Sequence, residues 1–153
     1  MSSGRKTGWR VASRWMGRFT AIVLAVVPAL GLCADISWKS TTDSGTMASG
    51  KFTRLGAAAF STGEKAELKL VGSEGAVDEK GRATVAVESV MRFKDGSSIT
   101  TRHAGYRDPK TLETAGKGQF VSGTGRYQGI TGQFSYTGHL GSTESVGTYT
   151  LTK

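Results

Sequence analysis

Apolar and polar residues alternate along most of this 153-residue chain, and no segment sustains a 3.6-residue period. The cleanest case is Lys65-Ala66-Glu67-Leu68-Lys69-Leu70, with Ala66, Leu68 and Leu70 on one side and charges on the other. This is the pattern of a strand with one wet face. The longest alternation covers residues 82–94. Ala83, Val85, Val87, Ser89, Met91 and Phe93 share one face, while Arg82, Thr84, Glu88, Arg92 and Lys94 share the other. Shorter alternations predict strands at 36–40, 47–55 (interrupted at Gly50), 97–107, 117–121, 132–140 and 144–152.

Between these lie the turn signals. Asp43-Ser44-Gly45 predicts a turn, and residues 72–81 predict a polar loop tipped by Asp78-Glu79-Lys80-Gly81. Asp108-Pro109 ends a strand, because proline cannot donate to a ladder. Two stretches stay open. Residues 55–60 read as a strand or a short helical turn, since their alanines favour helix but Gly56 and Gly63 crowd it. Residues 111–116 read as a loop or a short strand. About eight strands with closely spaced turns predict an all-β domain, an up-and-down antiparallel barrel or a sandwich.

Asp95-Gly96 marks a hairpin whose register decides which side chains face the core. A two-residue turn would pair Lys94 with Ser97 and set Glu88 against His103. A three-residue loop, with Gly96 in a left-handed bulge, pairs Phe93 with Ser97. It then sets Met91 against Ile99, Glu88 against Arg102 and Val87 against His103. The second register keeps apolar residues together and gives Glu88 an opposite charge, so it is the one expected. It turns His103 inward, with Arg107 on the same face.

The first 34 residues differ in kind. Arg5, Lys6, Arg10, Arg14 and Arg18 precede an apolar run over 19–32 that only Thr20, Pro28 and Gly31 break. About 20 apolar residues are needed to span a membrane, so this run is short for an anchor. The segment 1–34 reads as a secretory signal peptide cleaved after Ala34, with an uncleaved anchor as the alternative. Met16 offers a second, more compact start. Leu32 disfavours lipidation at Cys33, which is assigned to the discarded signal. Residues 35–153 then form one domain without cysteine, exported to the periplasm or beyond. Five of the 20 basic residues lie in the signal, leaving 15 against 12 acidic ones. A net charge of about +3 with interspersed signs gives no case for nucleic acid as a partner, and no membrane span is expected after signal removal.

Residues 122–132, Ser-Gly-Thr-Gly-Arg-Tyr-Gln-Gly-Ile-Thr-Gly, hold four glycines around Tyr127 and Ile130. A phosphate cradle would need a strand-to-helix setting and a Lys-Ser/Thr pair, and neither is present. A tight barrel-closing turn is expected instead. Gly123 and Gly125 would take positive φ, Gly129 and Gly132 would permit close backbone approach, and Tyr127 and Ile130 would plug the barrel end. The segment 123–132 resembles the Gly-Thr-Gly-basic/apolar-aromatic-x-Gly-x-x-Gly stretch of the allene oxide cyclase and dirigent-like β-barrels. Asp95-Gly96-Ser97 is similar to a hairpin in small secreted bacterial proteins of that kind. The resemblance implies an eight-stranded antiparallel barrel with an apolar cavity, often assembled as a homo-oligomer. It carries over no catalytic residue.

Candidate chemistry is sparse. Residues 35–153 hold two histidines, His103 and His139, with no His-x-His or His-x-x-x-His spacing, so no metal and no cofactor is expected. His139 shares a face with Gln133, Ser135 and Thr137 and is expected at the surface. His103 is the weak candidate for catalysis, as a general base or a ligand contact; a core histidine satisfied by its neighbours is the plainer alternative. The residues expected to line a ligand cavity are His103, Arg107, Met91, Tyr127 and Tyr136. Tyr106 and Tyr149 would ring its mouth or pack in the core. Three roles stay open: a barrel binding a small apolar or amphipathic lipophile, a cofactor-free cyclase or isomerase, and a filled structural barrel.

Overall fold

The computed structural model describes residues 33–43 and 45–152. Nine strands follow in order: β1 (Cys33–Thr42), β2 (Thr46–Ala48), β3 (Lys51–Phe60), β4 (Lys65–Val77), β5 (Ala83–Phe93), β6 (Ser98–Arg107), β7 (Glu113–Thr124), β8 (Ile130–His139) and β9 (Ser142–Leu151). A single 3₁₀ turn, Gly125–Tyr127, separates β7 from β8. From β3 to β9 each strand pairs antiparallel with its neighbour in sequence, and β9 pairs with β1. Pairing of β1 with β3 closes the sheet into an eight-stranded barrel, with β2 as one extra strand on β3. The signal expected at 1–34 falls outside the described residues except for Cys33 and Ala34. These two open β1 opposite Thr150 and Tyr149.

The hairpin register is the three-residue one. Phe93 N–H donates to the Ser97 carbonyl at 2.9 Å, Gly96 has φ +82°, and Met91, Glu88 and Val87 face Ile99, Arg102 and His103. Four expectations are corrected. Asp43–Gly45 is a break within one strand path, not a reversal, because β1 and β2 both run antiparallel to β3 with a one-residue offset between them. Residues 47–55 are not one strand but a hairpin. Ser49 and Gly50 both have positive φ (51° and 74°), the turn that matches strand twist, and Ser49 gives little sign of it in sequence. The loop expected from Gly72 begins only after Val77, since β4 continues through Gly72 and Glu74 against β5. Residues 113–124 form one strand whose register shifts opposite Thr100 and Thr101, leaving Val121 as the extra residue. The ambiguous 55–60 is strand, with Ala58 and Phe60 buried inward.

One end of the barrel is solid. Phe93 stacks between Phe60 (5.3 Å) and Tyr127 (4.9 Å), and Trp38 meets Phe134 edge-on at 5.0 Å. Tyr127 and Ile130 fold over this end as expected, Ile130 being 1% exposed. Gly125 and Gly129 take positive φ here, but Gly123 does not. Its role is close approach, since a Cβ at Gly123 would collide with the Tyr127 carbonyl. Arg126 fastens the plug: it lies 2.6 Å from Glu64 and 3.4 Å from Asp95, over the rings of Phe93 and Tyr127. The outer face of β4–β7 carries Glu67, Lys69, Glu88, Arg92, Arg102 and Lys117, unlike a lipid-facing band. Among the described residues no helix is long and apolar enough to cross a membrane.

If this plug closes the core, Ile130→Ala should lower unfolding free energy by about 3 kcal/mol in urea titrations. Val146→Ala, at a 62%-exposed position, should stay within about 0.5 kcal/mol. Equal losses from the two would show that this end is not packed as described.

Candidate functional site

The end opposite the plug is open, and a cavity of about 100 Å³ lies between the strands there. Its apolar wall is Trp38, Leu68, Leu70, Val85, Val87 and Phe134. Buried hydroxyls form a ledge beneath it, where Ser89 and Thr101 satisfy each other at 2.5 Å. At the rim, Arg107 grips Glu74 through two bonds of 2.7 Å, with each side chain 18% exposed. Arg54 stands on β3 at the same rim and reaches the Asp43 carbonyl at 3.4 Å.

Glycines set the positions of the rings. A Cβ at Gly105 would fall 2.7 Å from Tyr136 Oη, and one at Gly116 would fall 2.8 Å from Tyr136 Cε1. Tyr136 therefore lies across two bare stretches of backbone on β6 and β7. A Cβ at Gly118 would strike the Phe134 ring and come within 2.6 Å of His103 Cβ. His103 meets Tyr136 edge-on at 4.8 Å and Phe134 at 5.9 Å.

Two buried polar atoms on this wall have no hydrogen-bond partner: His103 Nδ1 and Tyr136 Oη. Thr114 comes near enough to favour ionisation of the Tyr136 phenol slightly. Its hydroxyl donates to the Tyr106 carbonyl (2.9 Å), and its geometry with Tyr136 falls short of a hydrogen bond. Burial is the larger influence and raises the Tyr136 phenol above its ordinary value. Burial alone lowers the His103 imidazole from 6.5 to about 4, so the ring is neutral at pH 7.

Of the residues expected at the cavity, His103, Arg107 and Tyr136 are brought together. Met91 and Tyr127 are not. Met91 points inward one step below Ser89 and is 1% exposed in the packed half. Tyr127 belongs to the plug, where burial pushes its phenol up to about 12 and its hydroxyl donates to Glu64 (3.4 Å). Tyr149 packs on the core, and Tyr106 lies under the Arg82 guanidinium at 4.0 Å. His139 is exposed, at the rim. Glu74 and Arg54 are cavity residues the pattern did not single out. The spacing Leu68, Leu70, Gly72, Glu74 would have found Glu74 had Gly72 not been read as the start of a loop. Among the described residues no group of three or more His, Cys, Asp or Glu is placed to hold a metal. No protein-family model matches the chain, and no curated protein matches it.

The unpartnered groups make two stability predictions. Tyr136→Phe deletes a buried hydroxyl that bonds nothing, so it should raise unfolding free energy by about 1 kcal/mol. A loss of that size instead would mean the hydroxyl is satisfied. For His103, the folded pKa lies below the unfolded one, so unfolding takes up a proton between them. Stability from this group is complete above 6.5 and falls as pH drops toward about 4, by about 3 kcal/mol in all. Urea titrations across that window should show the decline in wild type and a clearly shallower one in His103→Leu, the remainder coming from Asp78, Asp95 and Asp108 at its acid end.

Proposed function

We propose that this chain is an exported small β-barrel that holds one small amphipathic ligand in the cavity at its open end. The observation that carries this reading is the cavity of about 100 Å³ at the open end, with an apolar wall of Trp38, Leu68, Leu70, Val85, Val87 and Phe134 and the Arg107–Glu74 pair at its rim. Small barrels commonly hold one ligand in such a cavity, and an apolar wall below a charged rim suits a molecule with one apolar and one polar end. Export rests on the basic-then-apolar leader over 1–34. The similarity of 123–132 to the allene oxide cyclase and dirigent-like barrels is in keeping with a cavity-bearing barrel.

Binding is favoured over catalysis by proton affinity. An efficient general base titrates near the working pH. His103 at about 4 holds a proton too weakly, and Tyr136, raised by burial, gives one up too reluctantly. Both serve better as fixed hydrogen-bonding groups in their neutral states.

Native mass spectrometry of the protein purified from its own host, under gentle desolvation, should show a mass increment from a co-purified lipophile. Displacement of an apolar fluorophore should be weakened several-fold by His103→Ala, which removes a ring from the cavity wall. A protein that carries no lipophile and takes up no fluorophore would leave the filled-barrel role in its place.

A further inference from the structure

We propose that Arg54 is the recognition group of this cavity and that the polar end of the ligand is a single carboxylate. This rests on the ligand-binding reading above and specifies its chemistry. Among the described residues the cavity is lined by two arginines, Arg54 and Arg107, and by one carboxylate, Glu74. Glu74 is committed, because Arg107 donates to both of its oxygens at 2.7 Å. Arg54 is the surplus cation. Among the described residues it makes no ion pair, and its one side-chain hydrogen bond is a long one, from Nη1 to the Asp43 carbonyl at 3.4 Å. A half-buried guanidinium with five N–H donors and one distant acceptor has most of its bonding capacity open.

Backbone pairing turns this side chain to the interior. Arg54 lies directly opposite Leu70 and shares its inward face. Gly45 lets the arginine stem lie close against the break between β1 and β2, since a Cβ there would come within 2.7 Å of Arg54 Cγ. A side chain held in this way loses less freedom when it binds. Thr42 pairs with Gly56 and is therefore a diagonal neighbour of Arg54, while Ser40 and Thr143 face each other one step deeper. All three hydroxyls line the cavity. A carboxylate at this rim meets a planar two-donor cation and hydroxyl donors on one wall, with its apolar part toward Leu68 and Leu70. One surplus positive charge matches one negative charge, whereas a phosphate monoester carries roughly two and would keep one unmatched. Size sets a further limit. The cavity of about 100 Å³ is smaller than the roughly 150 Å³ that admits a benzene ring, so the apolar part is compact.

The test uses four matched probes at neutral pH: cyclobutanecarboxylate, its neutral amide, cyclobutylmethylammonium and cyclobutyl phosphate, titrated into the full chain. The Trp38 indole and Arg54 side-chain N–H signals are followed by NMR. The carboxylate should shift both signals and bind about tenfold tighter than the amide or the phosphate, with the ammonium weakest. Arg54→Met should bring the carboxylate down to the affinity of the amide, and Arg54→Lys should keep part of the difference. Unchanged amide binding shows that each variant keeps its cavity. Tightest binding by the amide, the ammonium or the phosphate, or equal binding by all four, would overturn the inference and leave the ligand-binding reading standing. A carboxylate preference that survives in Arg54→Met would overturn it as well. If no probe binds, the inference falls, and the ligand-binding reading falls with it when no lipophile co-purifies.

Discussion

Closure through the β1–β3 pairing, running from Trp38↔Phe60 to Thr42↔Gly56, is the contact on which the rest of the structure depends. Without it the chain is an open sheet with two exposed edges; with it, the interior is a fixed volume that side chains must fill. An eight-stranded tube is only just wide enough for that, so large rings need gaps opposite them. The gaps are glycines. Tyr136 lies on Gly105 and Gly116, Phe134 on Gly118, and the Phe52 ring on Gly72. Inward glycines in the middle of these strands therefore set ring positions, a different task from the turn glycines at 96, 125 and 129.

The two halves of the tube resolve their polarity differently. In the closed half, aromatic and aliphatic groups meet one another, and the charges of Arg126, Glu64 and Asp95 sit outside the plug, part-exposed. In the open half, most polar groups find each other, as Ser89 with Thr101 and Glu74 with Arg107. His103 and Tyr136 are the exceptions, with their rings edge-on to each other. Leaving a buried polar atom unpaired costs about 1–3 kcal/mol, and Phe or Leu would fill the same volume without that cost. The destabilisation is thus concentrated at one place on the wall, which separates this patch from ordinary packing.

Much of this was legible in the sequence, and the reasons for success and failure are physical. Period-two alternation fixed the inward faces of β4 and β5, and charge matching at Glu88 and Arg102 selected the register that turns His103 inward. The plug was legible because Tyr127 and Ile130 are the only large apolar groups among closely spaced glycines. What failed was the reading of glycine itself. Gly72 reads as a loop signal although it lies under the Phe52 ring within β4, and that hides Glu74. Gly116 and Gly118 left 113–124 looking like two pieces rather than one strand. Met91 was placed at the cavity because facing inward does not reveal depth along the barrel; depth follows from which end the plug closes.

Access to the cavity follows from how unevenly the barrel is closed. From Trp38 to Thr41, β1 is paired on both sides, with β3 and with β9, while nearer the plug Cys33–Ser37 ladder with β9 alone. At the mouth, β3 loses β1 beyond Gly56 and gains only the three residues of β2. The β2–β3 hairpin turns through Ser49 at φ +51°, a backbone region that costs a non-glycine residue about 1–2 kcal/mol. Met47 stays 53% exposed at its tip, beside the cavity. Opposite, the rim is tied more firmly: Leu140 N–H donates to the Leu112 carbonyl at 2.8 Å, and Thr42 N–H to the Gly141 carbonyl at 2.9 Å. Few buried contacts and a strained turn make the hairpin side the least costly part of the mouth to open. A molecule entering there would pass Met47 and Phe52 before it met the apolar wall at Trp38 and Phe134, so on the proposed binding role the hairpin side is the path that disturbs the fewest contacts.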